Sequence, residues 1–372
     1  MERDLFTFGK PAEGETFIDR ENEQKILKAN FSHGINTIII SPRRWGKTSL
    51  VKKVAGEISS PSCPVVFVDV FKCKSAQEFC EKISSAVLSQ TAGKMDEIIE
   101  NIKTFLNRVN ISLDMGSDPL SSISLSMLLK QGETDCETLL SIPEKIAQKK
   151  GCHLVVCIDE FQQIAEFEDS DTFQRALRTV WQHQKNVTYC LFGSKRHTME
   201  HILDSSSKPF YKFGELMYLK PIPLSYWTPF IQKKFEWGGK SISDELCREL
   251  CEKVAYNSYY VQQLAWYTFR ISEKTVEREI LDLALKVLVD QNRGLFESIT
   301  DNLTRIQMNF LRAVSAGIHE KFTSAAVMQR FQMGTSAHII AAKKSLLQKD
   351  LIMEQDNKIY LSDPVLGLWI NE

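Results

Sequence analysis

The sequence predicts an α/β fold, a parallel sheet covered by helices, followed by a helical unit and a small C-terminal unit of three helices and a hairpin. Three observations carry this expectation. Short apolar runs alternate with helical segments over the first two-thirds of the chain. Strand-like runs stop after about Pro221, where helical, aromatic-rich segments take over. Beyond about Leu303, three helical segments precede a polar hairpin.

The elements follow in order. Ile35 to Ile40 (INTIII) is a β-branched run suited to a strand, and Lys47 to Ile58 has a helical pattern. Pro64 to Phe71 is the second strand. Ser75 to Ser89 reads as a helix, with Ser75 as N-cap and Glu78 three residues on. Residues 103–127 alternate weakly around Gly116, Asp118 and Pro119, the pattern of a β-hairpin or an irregular insertion. Leu154 to Ile158 is almost wholly apolar, as expected of a strand buried on both faces. Val187 to Phe192 and Leu216 to Leu219 continue the sheet.

Ser225 to Gly238, Ser243 to Glu273 and Thr275 to Asn292 read as helices of a lid-like unit. The aromatic run Tyr226 to Trp237 follows a roughly helical period. It reads as packing within that unit, with Lys233 and Lys234 toward solvent, and a partner groove is the alternative. Helices over Arg305 to Ala316, Ser324 to Phe331 and Ser336 to Gln348 precede a hairpin from Leu351 to Leu361 that turns at Asp356 and Asn357. That order is the order of a winged helix-turn-helix. The expected division is residues 1–221, 222–300 and 301–372.

With 372 residues, 43% of them hydrophobic, the chain can bury the cores of two or three domains. A net charge of −1 gives no global attraction to nucleic acid or an anionic membrane. Met1 to Lys10 lacks the apolar run of a secretory signal, and no stretch has the apolar length of a membrane span, so the chain reads as cytoplasmic. Nine irregularly spaced cysteines with no Cys-x-x-Cys pair argue for reduced thiols. Cys247 and Cys251 lie one helical turn apart, but no matching ligand pair is evident elsewhere, and they read as small apolar residues. Trp181, His183 and His197 read as packing or surface residues.

Chemistry concentrates in three places. Ile40 to Leu50 (ISPRRWGKTSL) follows a strand and opens a helix, the context of a phosphate-binding loop. Backbone N–H groups of such a loop cradle phosphates, helped by the helix N-terminus. Gly46 permits close backbone approach, Lys47 brings positive charge to the β- and γ-phosphates, and the Thr48 hydroxyl suits Mg²⁺. The candidate nucleotide-binding residues are therefore Ser41, Pro42, Arg43, Arg44, Trp45, Gly46, Lys47, Thr48 and Ser49. Ser41 stands where the motif usually has its first glycine.

The second place is His153 to Phe161 (HLVVCIDEF). Its buried strand delivers Asp159 and Glu160 to a C-terminal strand end, where open α/β sheets bind ligands. Asp159 is the candidate metal ligand with Thr48, acting through water, and Glu160 the base that orients and deprotonates an attacking water. An acidic helix cap is the bland alternative. The third is the turn Gly193 to Arg196, where Ser194 can reach a γ-phosphate or its water; a simple serine turn explains the spacing equally well.

These three points resemble ATPases of the AAA+ and STAND type, and most of all the archaeal-type ATPase family, over nearly the whole chain. Phe17 to Glu23 resembles the family's opening Phe-x-x-Arg-x-x-Glu. SPRRWGKTSL resembles its Walker A, CIDEFQQI its Walker B, FGSKRHTM its sensor-1 turn with Ser194 as sensor, and LSDPVLGLWI its ending after a winged helix. The resemblance implies a P-loop NTPase, AAA+-like core, ATP and Mg²⁺ as cofactors, and Glu160, Lys47 and Ser194 as the catalytic set. The chain departs from the pattern in two further places. Lys212 and Phe213 replace an expected Gly-Arg, which puts an arginine finger in doubt. Tyr256, Asn257 and Ser258 replace a Gly-x-Pro element of the lid, before a retained YYVQQL.

The expected function is a Mg²⁺-dependent ATPase that works as a nucleotide-driven switch or remodeller, and those departures favour slow hydrolysis. The alternative is a nucleotide-gated DNA-binding regulator with little or no hydrolysis, and a scaffold built on a relic core is a third reading. Expected partners are ATP or ADP, together with double-stranded DNA or a protein at the winged helix; a homo-oligomer is compatible with the resemblance. DNA contacts would come from Ser336, His338, Lys343, Lys344 and Gln348.

Overall fold

The computed structural model describes residues 5–91, 135–203 and 207–372. The insertion expected at 103–127 lies outside the described residues. The chain forms two compact units. One comprises Glu21–Ile40 and Leu50–Tyr218, the other Met1–Arg20, Ser41–Ser49 and Leu219–Glu372.

The first unit is built on a five-stranded parallel sheet: β1 (Thr37–Ile40), β2 (Val65–Asp69), β3 (Leu154–Asp159), β4 (Val187–Gly193) and β5 (Glu215–Tyr218), in the order β2-β3-β4-β1-β5. The expected runs all form strands. β1 and β4 are buried at every residue, and β3 is buried up to Asp159. Burial on both faces removes the need for a polar alternate position, so these strands read as continuous apolar runs. The flanking helices include Ala76–Thr91, whose start is fixed as expected. The Glu78 N–H donates to Ser75 Oγ at 3.2 Å, and the Glu78 carboxylate accepts from the Lys74 N–H at 2.8 Å. Phe79, Phe161, Phe167 and Phe173 pack edge to face or tilted, and Trp181 stacks on Tyr189 at 3.9 Å. Trp181 is thus a core residue, while His183 and His197 are exposed.

The second unit holds two cores. One joins helices Leu224–Trp237, Asp244–Lys253, Ser258–Ile271 and Arg278–Thr300 with the C-terminal helix Pro364–Ile370. The other lies within the helices Arg305–Ser315, Ala325–Arg330 and Ser336–Gln348 and the hairpin of β6 (Ile352–Gln355) and β7 (Lys358–Leu361). Asp356 and Asn357 both take left-handed φ values of 52° and 61°, which a tight two-residue hairpin turn needs.

Two expectations fail here. The stretch Ser243 to Glu273 is not one helix. Ala255 and Tyr256 turn left-handed, with φ of 49° and 55°, and Asn257 caps a new helix by accepting from the Tyr259 and Tyr260 N–H groups. Lys234 does not face solvent. It is 1% exposed, with its ammonium 4.2 Å from the Trp237 ring centre, so the aromatic run shelters it. Lys233 is exposed as expected. Among the described residues no helix is long and apolar enough to cross a membrane.

Candidate nucleotide site

β1 ends at Ile40 and the chain enters the loop at Ser41. The helix Lys47–Ile58 begins where the motif requires. Gly46 has φ of 89°, a conformation that glycine adopts freely and an L side chain resists. Ser41 is absent from the left-handed positions and is buried, so the position does not demand glycine. Its substitution adds a ligand instead. Lys47 Nζ donates to Ser41 Oγ at 3.2 Å, to Ser41 O at 2.9 Å and to Pro42 O at 3.0 Å. The loop thereby holds an ammonium against its own carbonyls, a charge suited to a phosphate.

The N-terminal arm braces the same loop. Arg20, 4% exposed, donates to Trp45 O at 3.3 Å and to Lys220 O at 2.6 Å. The Ala12 N–H donates to Ser49 Oγ at 2.9 Å. Gln262 ties the arm to the lid, accepting from the Thr7 N–H at 2.8 Å and donating to Thr16 O at 3.4 Å. The lid departure at Tyr256–Ser258 has a structural use. Asn257 Nδ2 donates to Arg43 O at 3.5 Å, and the Tyr259 N–H donates to Arg44 O at 3.3 Å.

In the sheet, β3 delivers Asp159 and Glu160 to its C-terminal end, beside the end of β4. Ile40 pairs with Gly193 across β1 and β4, so the three strand ends are consecutive neighbours. Glu160 is left-handed, with φ of 56°, a strained conformation for a residue other than glycine and one that clusters at working sites. Its N–H donates to Asp159 Oδ1 at 2.8 Å. Its Oε2 accepts from Ser194 Oγ at 2.9 Å and from Gln162 Nε2. Ser194 therefore meets Glu160 across the ends of β4 and β3. Lys195 in the same turn pairs with Glu166, holding that carboxyl below its usual range, and Arg196 pairs with Glu200 at 2.8 Å.

Sequence reasoning missed two residues at these strand ends. Asp69 closes β2 in register with Asp159, placing a second carboxylate beside it; the acid at the end of PVVFVD was the available signal. Gln162 is 2% exposed and its Oε1 lacks a hydrogen-bond partner. A Cβ on Gly193 would lie 1.8 Å from that oxygen, so Gly193 is what lets Gln162 reach Glu160. At the position of the expected Gly-Arg, Phe213 is buried against Trp181 and Phe210, and Lys212 lies over the Tyr211 ring. Cys247 and Cys251 are buried in the helical core, where burial pushes the Cys247 thiol up to about 12 and raises Cys251 as well. Among the described residues no cluster of three potential metal ligands of the His, Cys or carboxylate type occurs.

On the winged helix, Lys343 pairs with Glu354 of β6 at 2.9 Å, and His338 shares a capping box with Thr335. Ser336, Lys344 and Gln348 are exposed, and so is Ile340, at 64%.

The sheet, the lid and the C-terminal unit together define an AAA+-like fold with a winged helix. A family model described as "Probable winged helix domain" matches residues 294–372. The chain is similar in fold to the Walker-type ATPase of Pyrococcus abyssi, with a TM-score of 0.71 and 16% identity over 99% of this chain and all of that one. It is also similar to the ORC2 protein of Aeropyrum pernix in ADPNP and ADP complexes, with a TM-score of 0.58 and 12% identity over 99% of this chain and 96% of that one. The ADP form of the same protein gives a TM-score of 0.53 and 12% identity over 96% of each chain. At such identities the likeness is one of fold. A comparison with the sequences of curated proteins found no match.

Proposed function

We propose that this chain binds ATP with Mg²⁺ at Ser41–Ser49 and hydrolyses it, using the nucleotide state to control the winged helix. The carrying observation is the Glu160 carboxylate, strained at the end of β3 and held by Ser194 and Gln162. The loop's geometry and the nucleotide complexes of the Aeropyrum ORC2 protein support the same reading.

In this reading the loop N–H groups and Lys47 bind the β- and γ-phosphates. Thr48 and Asp159 offer hard oxygen ligands of the kind Mg²⁺ takes, Asp159 through water. The ion, when bound, neutralises phosphate charge. Glu160 orients the attacking water and accepts its proton, and Ser194 fixes the carboxylate and senses the γ-phosphate.

The same hydrogen bonds favour a second reading, in which turnover is slow. Glu160 Oε2 already accepts from two donors, which leaves the carboxylate less free to turn toward an attacking water. The chain then serves as a nucleotide-gated DNA-binding regulator, with exposed Ser336, Lys344 and Gln348 on the winged helix facing the duplex. Mg·ATP turnover by the wild type and by Glu160→Gln, each with and without duplex DNA, separates the readings. Turnover lost in the variant with ATP binding kept supports the ATPase. Tight ATP binding with no turnover in either protein sinks it and leaves the gated regulator. DNA affinity that depends on nucleotide and falls steeply with salt supports the DNA readout; indifference to DNA at low salt removes it.

A further inference from the structure

The paired arginines of the loop have partners that a phosphate-binding role does not explain. Arg44 has a left-handed φ of 65°. Its guanidinium donates to Tyr260 Oη and lies 3.4 Å from Asp363 Oδ2. It is also 4.7 Å from the Tyr259 ring centre and 5.2 Å from that of Tyr260. Tyr260 Oη in turn donates to Asp363 Oδ2 at 2.6 Å. Arg43 Nε lies 3.2 Å from Asp350 Oδ2. Asp350 lies in the connection from the helix Ser336–Gln348 to β6, and Asp363 caps the start of the helix Pro364–Ile370. Two carboxylates of the C-terminal domain thus grip two adjacent loop arginines, with a lid tyrosine between them.

We propose that this grip is an anion-responsive latch: the phosphates of a nucleoside triphosphate compete with Asp350 and Asp363 for Arg43 and Arg44, and their binding loosens the winged helix from the loop. The inference rests on the nucleotide reading above and names its regulation. Phosphate oxygens accept the bidentate guanidinium bonds that carboxylates accept, with more negative charge. The ion pairs are partly exposed, Arg43 at 55% and Arg44 at 38%, so each is weak enough to be exchanged. Tyr260 keeps its proton, because burial and the neighbouring Asp363 carboxylate raise its pKa. It therefore remains a donor to Asp363 whether or not Arg44 leaves.

The test uses the full chain and its Asp363→Asn variant. Asparagine keeps an oxygen for the Val365 and Leu366 N–H groups that Asp363 caps, so the helix start survives while the charge goes. Mg·ATP affinity is measured by calorimetry, and hydrogen exchange is followed over residues 351–370 with and without ATP. In the wild type, ATP speeds exchange there, and ADP does so less. In Asp363→Asn, ATP binds about fivefold tighter, the effect of releasing one exposed ion pair, and exchange is fast before ATP is added. Tyr260→Phe, which removes the bridging hydroxyl and keeps the ring, shows the same direction and decides the matter if the first variant does not fold. ATP binding at unchanged or weaker affinity in the variants overturns the latch alone. No ATP binding by the wild type overturns the nucleotide reading, and the latch with it.

Discussion

Ser194 Oγ donates to Glu160 Oε2 at 2.9 Å, joining the residues that follow β4 and β3. The bond fixes the orientation of a carboxylate whose backbone is already left-handed. Glu160→Gln keeps the shape and removes the proposed base, so turnover is expected to fall by about 10²- to 10⁴-fold with ATP binding retained. Ser194→Ala leaves Glu160 with the Gln162 bond and lets the carboxylate wander, and turnover is expected to fall about tenfold or more. Single-turnover phosphate release checks both. A Ser194→Ala enzyme faster than wild type would mean that the bond restrains the base.

Gly193 tests the same cluster from its other side. An added Cβ meets Gln162 Oε1 at 1.8 Å and Cδ at 2.9 Å, and Gln162 is too buried to step aside freely. Gly193→Ala is expected to cost about 1–3 kcal/mol of stability, as overpacking does, and to slow turnover by pushing Gln162 off Glu160. The double variant Gly193→Ala with Gln162→Ala is expected to recover much of that stability in urea unfolding, because the clash has lost its partner. Strictly additive losses would show that the two residues do not meet.

How far the sequence speaks follows from the range of each interaction. β1, β3 and β4 were legible because burial on both faces writes itself as unbroken apolar runs such as LVVCI. The loop and the winged-helix hairpin were legible because Gly46 and the Asp356–Asn357 turn are local backbone demands. The break at residues 254–257 carries no glycine or proline, so nothing local announced that Ala255 and Tyr256 turn left-handed. The burial of Lys234 depends on how Trp237 and Phe230 lie over it, which helical period cannot give. The partners of Arg43 and Arg44 lie hundreds of residues away in sequence, and only folding brings Asp350 and Asp363 to them.

Arg20 shows how a flanking motif supports the loop. The guanidinium bonds the carbonyls of Trp45 and Lys220 from a position 4% exposed to solvent. Arg20→Met keeps most of the volume and leaves those carbonyls without their charged donor. Its stability is expected to drop by about 1.5–3 kcal/mol, the range for hydrogen bonds to a charged group. ATP affinity is expected to fall with it, because the Trp45 carbonyl helps to set the loop beside Gly46. Denaturation midpoints with and without Mg·ATP measure both terms, and an unchanged nucleotide-dependent shift would confine Arg20 to stability alone.

The buried thiols set an alkaline limit. Burial raises Cys247 from its ordinary 9.0 to about 12, with the Asp244 carboxylate adding to the rise. The folded state therefore holds that proton more tightly than the unfolded chain does. The resulting stability is fully present below pH 9 and is lost as pH rises toward 12, because the unfolded chain gains by ionising first. Cys251 and Tyr260 are raised in the same direction and add to the decline. Melting temperature is expected to fall progressively over that window in the wild type, and the fall is expected to be shallower in Cys247→Ala. Thiolate absorbance in the folded protein is expected to lag behind that of the unfolded chain. An equally steep fall in the variant would mean that Cys247 ionises in its helical core as readily as in water.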